Sequence, residues 1–190
     1  MVDALPHDCL LCLDEAYADF VDEDELPDIP VDHDRVIRLR TFSKAYGLAG
    51  IRIGYAVTNA PLANAFNKIR NHFGVNSIAQ TSAVAALADT AHQTYVRQAV
   101  ADSLARVARI AQANGCSALP TRTNFIAVDC MQDGAFAGRV LKALIGQGIF
   151  VRMPGVAPLD RCIRISAGTK ADLDALEAAF PEALQMAAVT

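Results

Sequence analysis

Lys44 lies in the run Thr41-Phe42-Ser43-Lys44-Ala45-Tyr46-Gly47-Leu48-Ala49-Gly50-Ile51-Arg52-Ile53-Gly54-Tyr55. A lysine amine is a nucleophile that condenses with carbonyl compounds to form Schiff bases. Thr41 and Ser43 bring hydroxyl groups and Arg52 a guanidinium, groups suited to holding a phosphate beside that amine. Gly47, Gly50 and Gly54 permit tight turns and close backbone approach. The sequence has no GxxxxGK[ST] pattern, so this is not a nucleotide P-loop. A serine–lysine hydrolase dyad would use the same Ser43 and Lys44, but it needs an oxyanion hole for which the sequence offers no candidate.

Other residues join this chemistry if the fold brings them near. Asp14 closes the apolar run at residues 9–13. In open α/β sheets ligands gather at the carboxyl ends of strands, where a carboxylate can pair with a cationic ring nitrogen and Tyr17 can reach an adjacent oxygen. The structural alternative is that Asp14 caps a turn and Tyr17 packs. Arg152 and Arg164 end or interrupt two apolar runs. In Ile163-Arg164-Ile165 the isoleucines face one way and the arginine the other, so Arg164 either reaches solvent or waits for an anion, which arginine grips in bidentate fashion. His7, His33, His72 and His92 form no ligand-spaced cluster. Of the five cysteines only Cys9 and Cys12 are close in sequence. They sit on a strand-like run where positions three apart face opposite sides, and no second pair completes a zinc site. Buried reduced thiols are expected, and no metal site.

These groups need elements to position them. Residues 9–13 read as a strand buried on both faces, as in a parallel sheet. The acidic stretch with Asp19, Asp22, Glu23, Asp24, Glu25 and Asp28 reads as a solvated surface loop. Residues 36–39 and 52–57 read as two further strands flanking the Lys44 run, and Asn59-Ala60-Pro61 as a turn that starts a helix. From Pro61 to Asn114 the pattern is helical, clearest over 93–113, where Val96, Val100, Leu104, Val107 and Ile110 recur in three- and four-residue steps while Arg97, Arg106 and Arg109 lie off the stripe. Asn114-Gly115 stops that helix, which is long enough to bridge two domains. Beyond it come a strand at 124–128, a helix at 135–145, short strands at 149–152 and 162–166, and a last helix opened by a capping box of Thr169 with Asp172. Strands with helices packed on them describe a small α+β domain.

Composition bounds the rest. Hydrophobic residues make up 53% of the 190 and charged residues 20%, which allows a packed core and disfavours disorder. The net charge of −4 and the absence of a basic stripe argue against nucleic acid as a partner. No apolar stretch is long enough to span a bilayer, and the first residues lack the basic head and apolar stretch of a signal peptide. A cytoplasmic protein is expected.

Taken together the motifs resemble a fold-type I pyridoxal-phosphate enzyme, and most closely the histidinol-phosphate aminotransferase family. The resemblance rests on Asp14-Glu15-Ala16-Tyr17, the run from Ser43-Lys44 through Gly54-Tyr55, Thr123-Asn124-Phe125, Val151-Arg152-Met153-Pro154-Gly155 and Cys162-Ile163-Arg164-Ile165-Ser166, in the family's order. The lysine run is specific for fold-type I aminotransferases; the Arg-Met-Pro-Gly and Arg-Ile-Ser pieces point to the histidinol-phosphate branch. The resemblance implies an α/β architecture, with part of a large domain built on a mostly parallel sheet over residues 1–85. A bridging helix and small α+β domain would occupy 86–190. It implies pyridoxal 5'-phosphate bound covalently to Lys44, the catalytic residue that moves the substrate α-proton. Asp14 would keep the pyridine nitrogen protonated and Tyr17 would hydrogen-bond the ring oxygen. Thr41, Ser43 and Arg52 would hold the phosphate, and Arg164, assisted by Arg152, the substrate carboxylate or phosphate. The implied reaction exchanges the amino group of histidinol phosphate for the keto group of 2-oxoglutarate, in a homodimer.

Members of that family are roughly twice as long, and the first motif here appears at residue 14. The resemblance therefore implies that the family's N-terminal portion, with its phosphate-cradling glycine loop and the aromatic ring that stacks on the cofactor, is absent. An isolated chain of this kind is expected to be unstable or self-associating, with weak or no catalysis, since a cut parallel sheet exposes apolar edges and faces. Other fold-type I enzymes, such as an aromatic aminotransferase or a phosphothreonine-type decarboxylase, share the lysine run. A catalytically inert fragment and a cysteine-based metal or redox module resting on Cys9 and Cys12 are the readings from other classes.

Overall fold

The computed structural model describes residues 2–189. The chain divides into two compact units, Met1–Arg97 and Gln98–Thr190. In the first, strands β1 (Leu11–Asp14), β2 (Val36–Thr41) and β3 (Gly54–Val57) form a sheet in that spatial order. β1 and β2 are parallel with Asp14 opposite Leu39, and β2 and β3 are antiparallel with Thr41 opposite Gly54. The helices α1 (Ala60–Ile69) and α2 (Ser77–Ala88) follow, each opened by an asparagine. The Asn59 side chain accepts from the Leu62 N–H at 2.9 Å and that of Asn76 from the Ala79 N–H at 2.8 Å, satisfying donors that a helix start leaves free.

α3 (Thr90–Ala113) runs through the boundary between the units, and Gly115, at φ +74°, follows its end. Within the second unit the α3 residues Leu104, Val107 and Ile110 are buried as their spacing predicts. Ser103 on α3 is buried and paired twice with Gly168, donating to its carbonyl at 3.1 Å and accepting its N–H at 3.0 Å. Arg106, off the apolar stripe, reaches Asp174 and Glu177 on α5 (Lys170–Ala188). The sheet of this unit is β4 (Ser117–Ala118), β5 (Phe125–Asp129) and β6 (Cys162–Ser166), antiparallel throughout. Ile126 and Val128 of β5 and Ile163 and Ile165 of β6 share its buried face, packed against Phe136, Val140 and Leu144 of α4 (Gly134–Gly146) and Leu176, Phe180 and Ala183 of α5. The expected capping box is present: Thr169 Oγ1 accepts from the Asp172 N–H, and Asp172 Oδ2 accepts from the Thr169 N–H at 2.8 Å.

Four expectations are corrected. Residues 149–152 form no strand; Arg152 alone bridges to Arg164, because the chain meets β6 at one residue and turns away through Pro154 and Gly155. β1 is not buried on both faces but alternates between half-buried and exposed, since among the described residues nothing covers the face that carries Cys12 and Asp14. Cys12 on that open face and Cys9, which precedes the strand, are exposed, while Cys116, Cys130 and Cys162 are buried. Within the acidic stretch Asp22, Glu23, Asp24, Glu25 and Asp28 are exposed, Asp22 pairing with Arg97 at the surface, but Asp19 is half-buried in an ion pair with Arg40.

Candidate active site

Each candidate residue of the first unit stands at the end of a strand, in the turn that follows β1 or in the loop joining β2 to β3. At the end of β1 the ladder continues for one bond, from the Glu15 N–H to the Leu39 carbonyl at 2.9 Å. The exposed Asp14 accepts the Ala16 N–H at 2.9 Å through Oδ1, an Asx turn that starts the change of direction. The turn carries Tyr17 to the mouth of the β2–β3 loop, where Lys44 Nζ lies 5.1 Å from the centre of the Tyr17 ring, within cation–π range. Lys44 is half-buried and makes no ion pair among the described residues.

The β2–β3 loop is closed by its own backbone. The Phe42 N–H donates to the Ile53 carbonyl at 3.2 Å and the Leu48 N–H to the Phe42 carbonyl at 2.9 Å. The Gly47 N–H, donating to the Lys44 carbonyl at 3.0 Å, makes Lys44 the first residue of a turn. Phe42 anchors the loop, buried with its ring 4.9 Å from that of Tyr46 and 5.6 Å from that of Tyr55. Thr41 Oγ1 accepts the Ser43 N–H at 3.1 Å, which spends one lone pair of Thr41 on shaping the loop. Two of the three glycines are required by the backbone. Gly47 has φ +69°, and a Cβ on Gly54 would sit 2.7 Å from the Arg40 carbonyl oxygen, a backbone atom that cannot yield. Gly50 meets neither constraint.

Arg52 occupies the left-handed region at φ 60°, ψ 56°, a conformation that costs a residue with a Cβ roughly 1–2 kcal/mol. Its Nη1 donates to the Ala49 carbonyl at 2.6 Å, leaving the rest of an exposed guanidinium fork for an anion. Such strain in a non-glycine residue gathers at functional positions.

The sequence reading missed the charge network beneath this site. Glu15 is 5% exposed, and each of its oxygens takes one arginine: Oε1 from Arg38 Nε and Oε2 from Arg40 Nε, both at 2.7 Å. Arg40 also pairs with Asp19 at 3.4 Å, and the Tyr46 hydroxyl donates to the same Asp19 oxygen at 3.4 Å. The signal lay in the alternation of Arg38 and Arg40 on one face of β2, an arrangement that needs an acid between them. Burial lifts the Asp19 carboxyl above its ordinary range, although Arg40 and Tyr46 oppose this. Burial and the nearby Asp19 charge push the Tyr46 phenol up to about 12. Burial works against the Arg40 charge, but the hydrogen bond and charge of Glu15 outweigh it and the guanidinium is held more firmly protonated.

In the second unit Arg152 and Arg164 face each other across an isolated antiparallel bridge. The Arg152 N–H donates to the Arg164 carbonyl at 3.1 Å and the Arg164 N–H to the Arg152 carbonyl at 2.6 Å, so both side chains leave the same face. Arg164 stacks on Phe125 with its Cζ 4.7 Å from the ring centre, and Arg152 on Phe150 at 5.9 Å. Arg152 is exposed and Arg164 half-buried, and a guanidinium is suited to gripping an anion in bidentate fashion. Thr121, also missed by the sequence reading, steadies Phe125: its hydroxyl donates to the Phe125 carbonyl at 2.7 Å beside that of Thr123 at 3.0 Å.

The first unit thus offers a lysine amine held against a phenol, a carboxylate at a strand end, two hydroxyls and an arginine fork. As a donor set these fit a phosphate-bearing carbonyl compound with a basic ring nitrogen. The family model for aminotransferases of class I and II matches residues 2–180. The chain belongs to that family. A crystal structure of the histidinol-phosphate aminotransferase of Sinorhizobium meliloti in complex with pyridoxal-5'-phosphate matches 97% of this chain with a TM-score of 0.91 and 50% identity, and 51% of that chain is covered. Histidinol-phosphate aminotransferase 2 of Pseudomonas aeruginosa is 38% identical over 173 residues, which are 90% of this chain and 46% of the relative. Histidinol-phosphate aminotransferase 1 of Cupriavidus pinatubonensis is 37% identical over 187 residues, 95% of this chain and 49% of the relative. The chain spans about half the length of the curated relatives it matches. Its α/β architecture is that of the fold-type I aminotransferases.

Two outcomes follow from the network. Replacing Glu15 by Gln leaves two guanidinium groups without their shared counter-charge and is expected to lower unfolding stability by roughly 3 kcal/mol, toward the lower end for a buried pair because both arginines keep some water. Denaturant unfolding of the full chain measures it. Tyr46 binds its proton more tightly folded than unfolded, so stability falls as pH rises from the ordinary tyrosine value of 10.0 through about 12. Tyr46→Phe is expected to flatten that alkaline decline in unfolding curves recorded across the same window and to remove the highest-pH step from the tyrosinate absorbance titration.

Proposed function

We propose that this chain serves pyridoxal-phosphate-dependent transamination, with histidinol phosphate as amino donor and 2-oxoglutarate as acceptor, giving imidazole acetol phosphate and glutamate in histidine biosynthesis. The observation that carries the reading is the half-buried Lys44 amine, set over the Tyr17 ring and without an ion pair among the described residues, in a loop that also presents Ser43 and Arg52. The residues present fit pyridoxal phosphate in kind: amine for its aldehyde, carboxylate for its ring nitrogen, phenol for its ring oxygen, hydroxyls and guanidinium for its phosphate.

When bound, the cofactor supplies an electron sink for the charge that develops at the substrate α-carbon. Lys44 holds the cofactor and moves the proton that leaves that carbon. Asp14 keeps a proton on the ring nitrogen, which its exposed position at the end of β1 leaves it free to do. Tyr17 donates to the ring oxygen. Thr41, Ser43 and Arg52 bind the phosphate, with Ser43 and Arg52 the firmer two because the Thr41 oxygen already accepts a backbone bond. Arg164, assisted by Arg152, binds the glutamate carboxylate in one half-reaction and the substrate phosphate in the other. On this reading residues 1–85 belong to the cofactor-binding large domain, residues 86–190 form a bridging helix and small domain, and the working enzyme is a cytoplasmic homodimer.

Incubation with pyridoxal phosphate, reduction with borohydride and peptide mapping tests the assignment. A saturable pyridoxyl label on Lys44, lost in Lys44→Ala, is expected; equal labelling of Lys68, Lys142 and Lys170 contradicts it. Arg52→Gly is expected to weaken the apparent affinity about ten-fold or more, the loss of a charge-assisted hydrogen bond. Stability should stay within about 1 kcal/mol, because glycine accepts the left-handed conformation that strains Arg52. Turnover with histidinol phosphate, set against aromatic amino acids and phosphothreonine, reads the substrate class.

A further inference from the structure

The second unit carries a pair of cysteines that the proposed transamination does not use. β4 and β5 run antiparallel with Ser117 opposite Asp129 and Ala118 opposite Val128, and the same register places Cys116 opposite Cys130. The Leu119 N–H donates to the Ala127 carbonyl at 2.9 Å, whereas the Cys116 N–H turns to the Ala111 carbonyl at 2.9 Å and the Cys130 N–H to the Arg161 carbonyl at 3.2 Å. Antiparallel pairs alternate between bonded and non-bonded positions, and counting from Leu119–Ala127 makes Cys116–Cys130 a non-bonded one. There the Cα atoms approach to about 4.5 Å with both side chains on one face. That separation lies within the roughly 4.4–6.8 Å over which a disulfide forms without backbone movement. Cys162, opposite Asp129 on β6, points to the other face of the sheet. Cys116 and Cys130 both line a surface depression of about 330 Å³, shared with Gly115, Phe136 and Leu184.

We propose that Cys116 and Cys130 are a thiol–disulfide site that closes by exchange with a low-molecular-weight disulfide entering that depression. The Cys116 thiolate attacks one sulfur of the small disulfide, whose S–S bond breaks and releases one thiolate. Cys130 gives up its proton, and its sulfur attacks the Cys116 sulfur of the mixed disulfide, releasing the second small thiol. Two electrons pass from the cysteine pair to the small disulfide, which leaves as two thiols. Cys116, 8% exposed against 4% for Cys130, is the attacking member. The hydrogen bond it receives from Cys130 holds its thiol below the ordinary value, while that same bond, with burial, pushes the Cys130 thiol up. The segment that the bond encloses contains Thr121, Thr123 and Phe125, so closure at its base restrains the strand on which Arg164 stacks.

The test uses the full chain with the exposed Cys9 and Cys12 replaced by Ser, which removes intermolecular exchange. The chain is incubated with oxidised glutathione, remaining thiols are alkylated after unfolding, and peptides are mapped without reduction. Folded chain is expected to yield a Cys116–Cys130 linked peptide as the main product, with Cys162 alkylated. Chain oxidised in urea should spread its links over all three cysteines. Glutathione adducts without a Cys116–Cys130 link, links to Cys162 in equal amount, or thiols that stay unreacted when folded each overturn the proposal. Mapping of the parent chain with all five cysteines repeats the readout should the double variant fold poorly.

Discussion

The Glu15 carboxylate holds two strands in the arrangement on which the rest of the candidate site depends. Arg38 and Arg40 project from the same face of β2 and repel each other; Glu15, one residue beyond the end of β1, gives one oxygen to each. Removing charges from water is costly, and a single carboxylate between two guanidinium groups recovers that cost only with close, well-aligned hydrogen bonds. The result fixes where β1 stops relative to β2. Asp14 and Tyr17 flank Glu15 on the chain, so their positions follow from its anchorage, and Arg40 extends the same network to Asp19 and, through it, to Tyr46 of the lysine loop.

The loop itself is held by contacts of a different kind. Phe42 and its aromatic neighbours bury its base, while the close passage of Gly54 beside the Arg40 carbonyl brings β3 tight against β2. These restraints leave Arg52 in a left-handed conformation that its side chain does not favour. The strain is sustained because the flanking strands are fixed on both sides of it. Lys44 and Arg52 thus stand on one closed loop, and Tyr17 reaches that loop from β1.

Much of this was legible in the sequence because local chemistry carried it. The end of β1 at Asp14, the β6 segment, the cap at Thr169 and the stop at Gly115 all depend on residues adjacent in the chain. So does the outward placement of Arg164 between two buried isoleucines. The Glu15 network was not legible in the same way, because its partners lie more than twenty residues apart and only the parallel register of β1 and β2 reveals which acid meets which arginine. The acidic stretch likewise hid Asp19, whose pairing with Arg40 distinguishes it from its exposed neighbours. Residues 149–152 read as a strand from their apolar pattern, yet only Arg152 finds a partner. The exposure of Cys9 and Cys12 depends on what covers β1 and the residues before it, which the apolar run that contains them does not specify.

The Glu15 clamp sets the Tyr17 ring against the Lys44 amine. Proton NMR of the full chain with isotope-labelled lysine measures this directly, because an aromatic ring beneath an amine shifts the neighbouring methylene protons upfield. Upfield-shifted Lys44 ε-protons are expected, returning to the ordinary lysine position in Tyr17→Leu and also in a folded Glu15→Gln chain. Unshifted Lys44 ε-protons in the unaltered chain, or a shift that survives both substitutions, would contradict this arrangement.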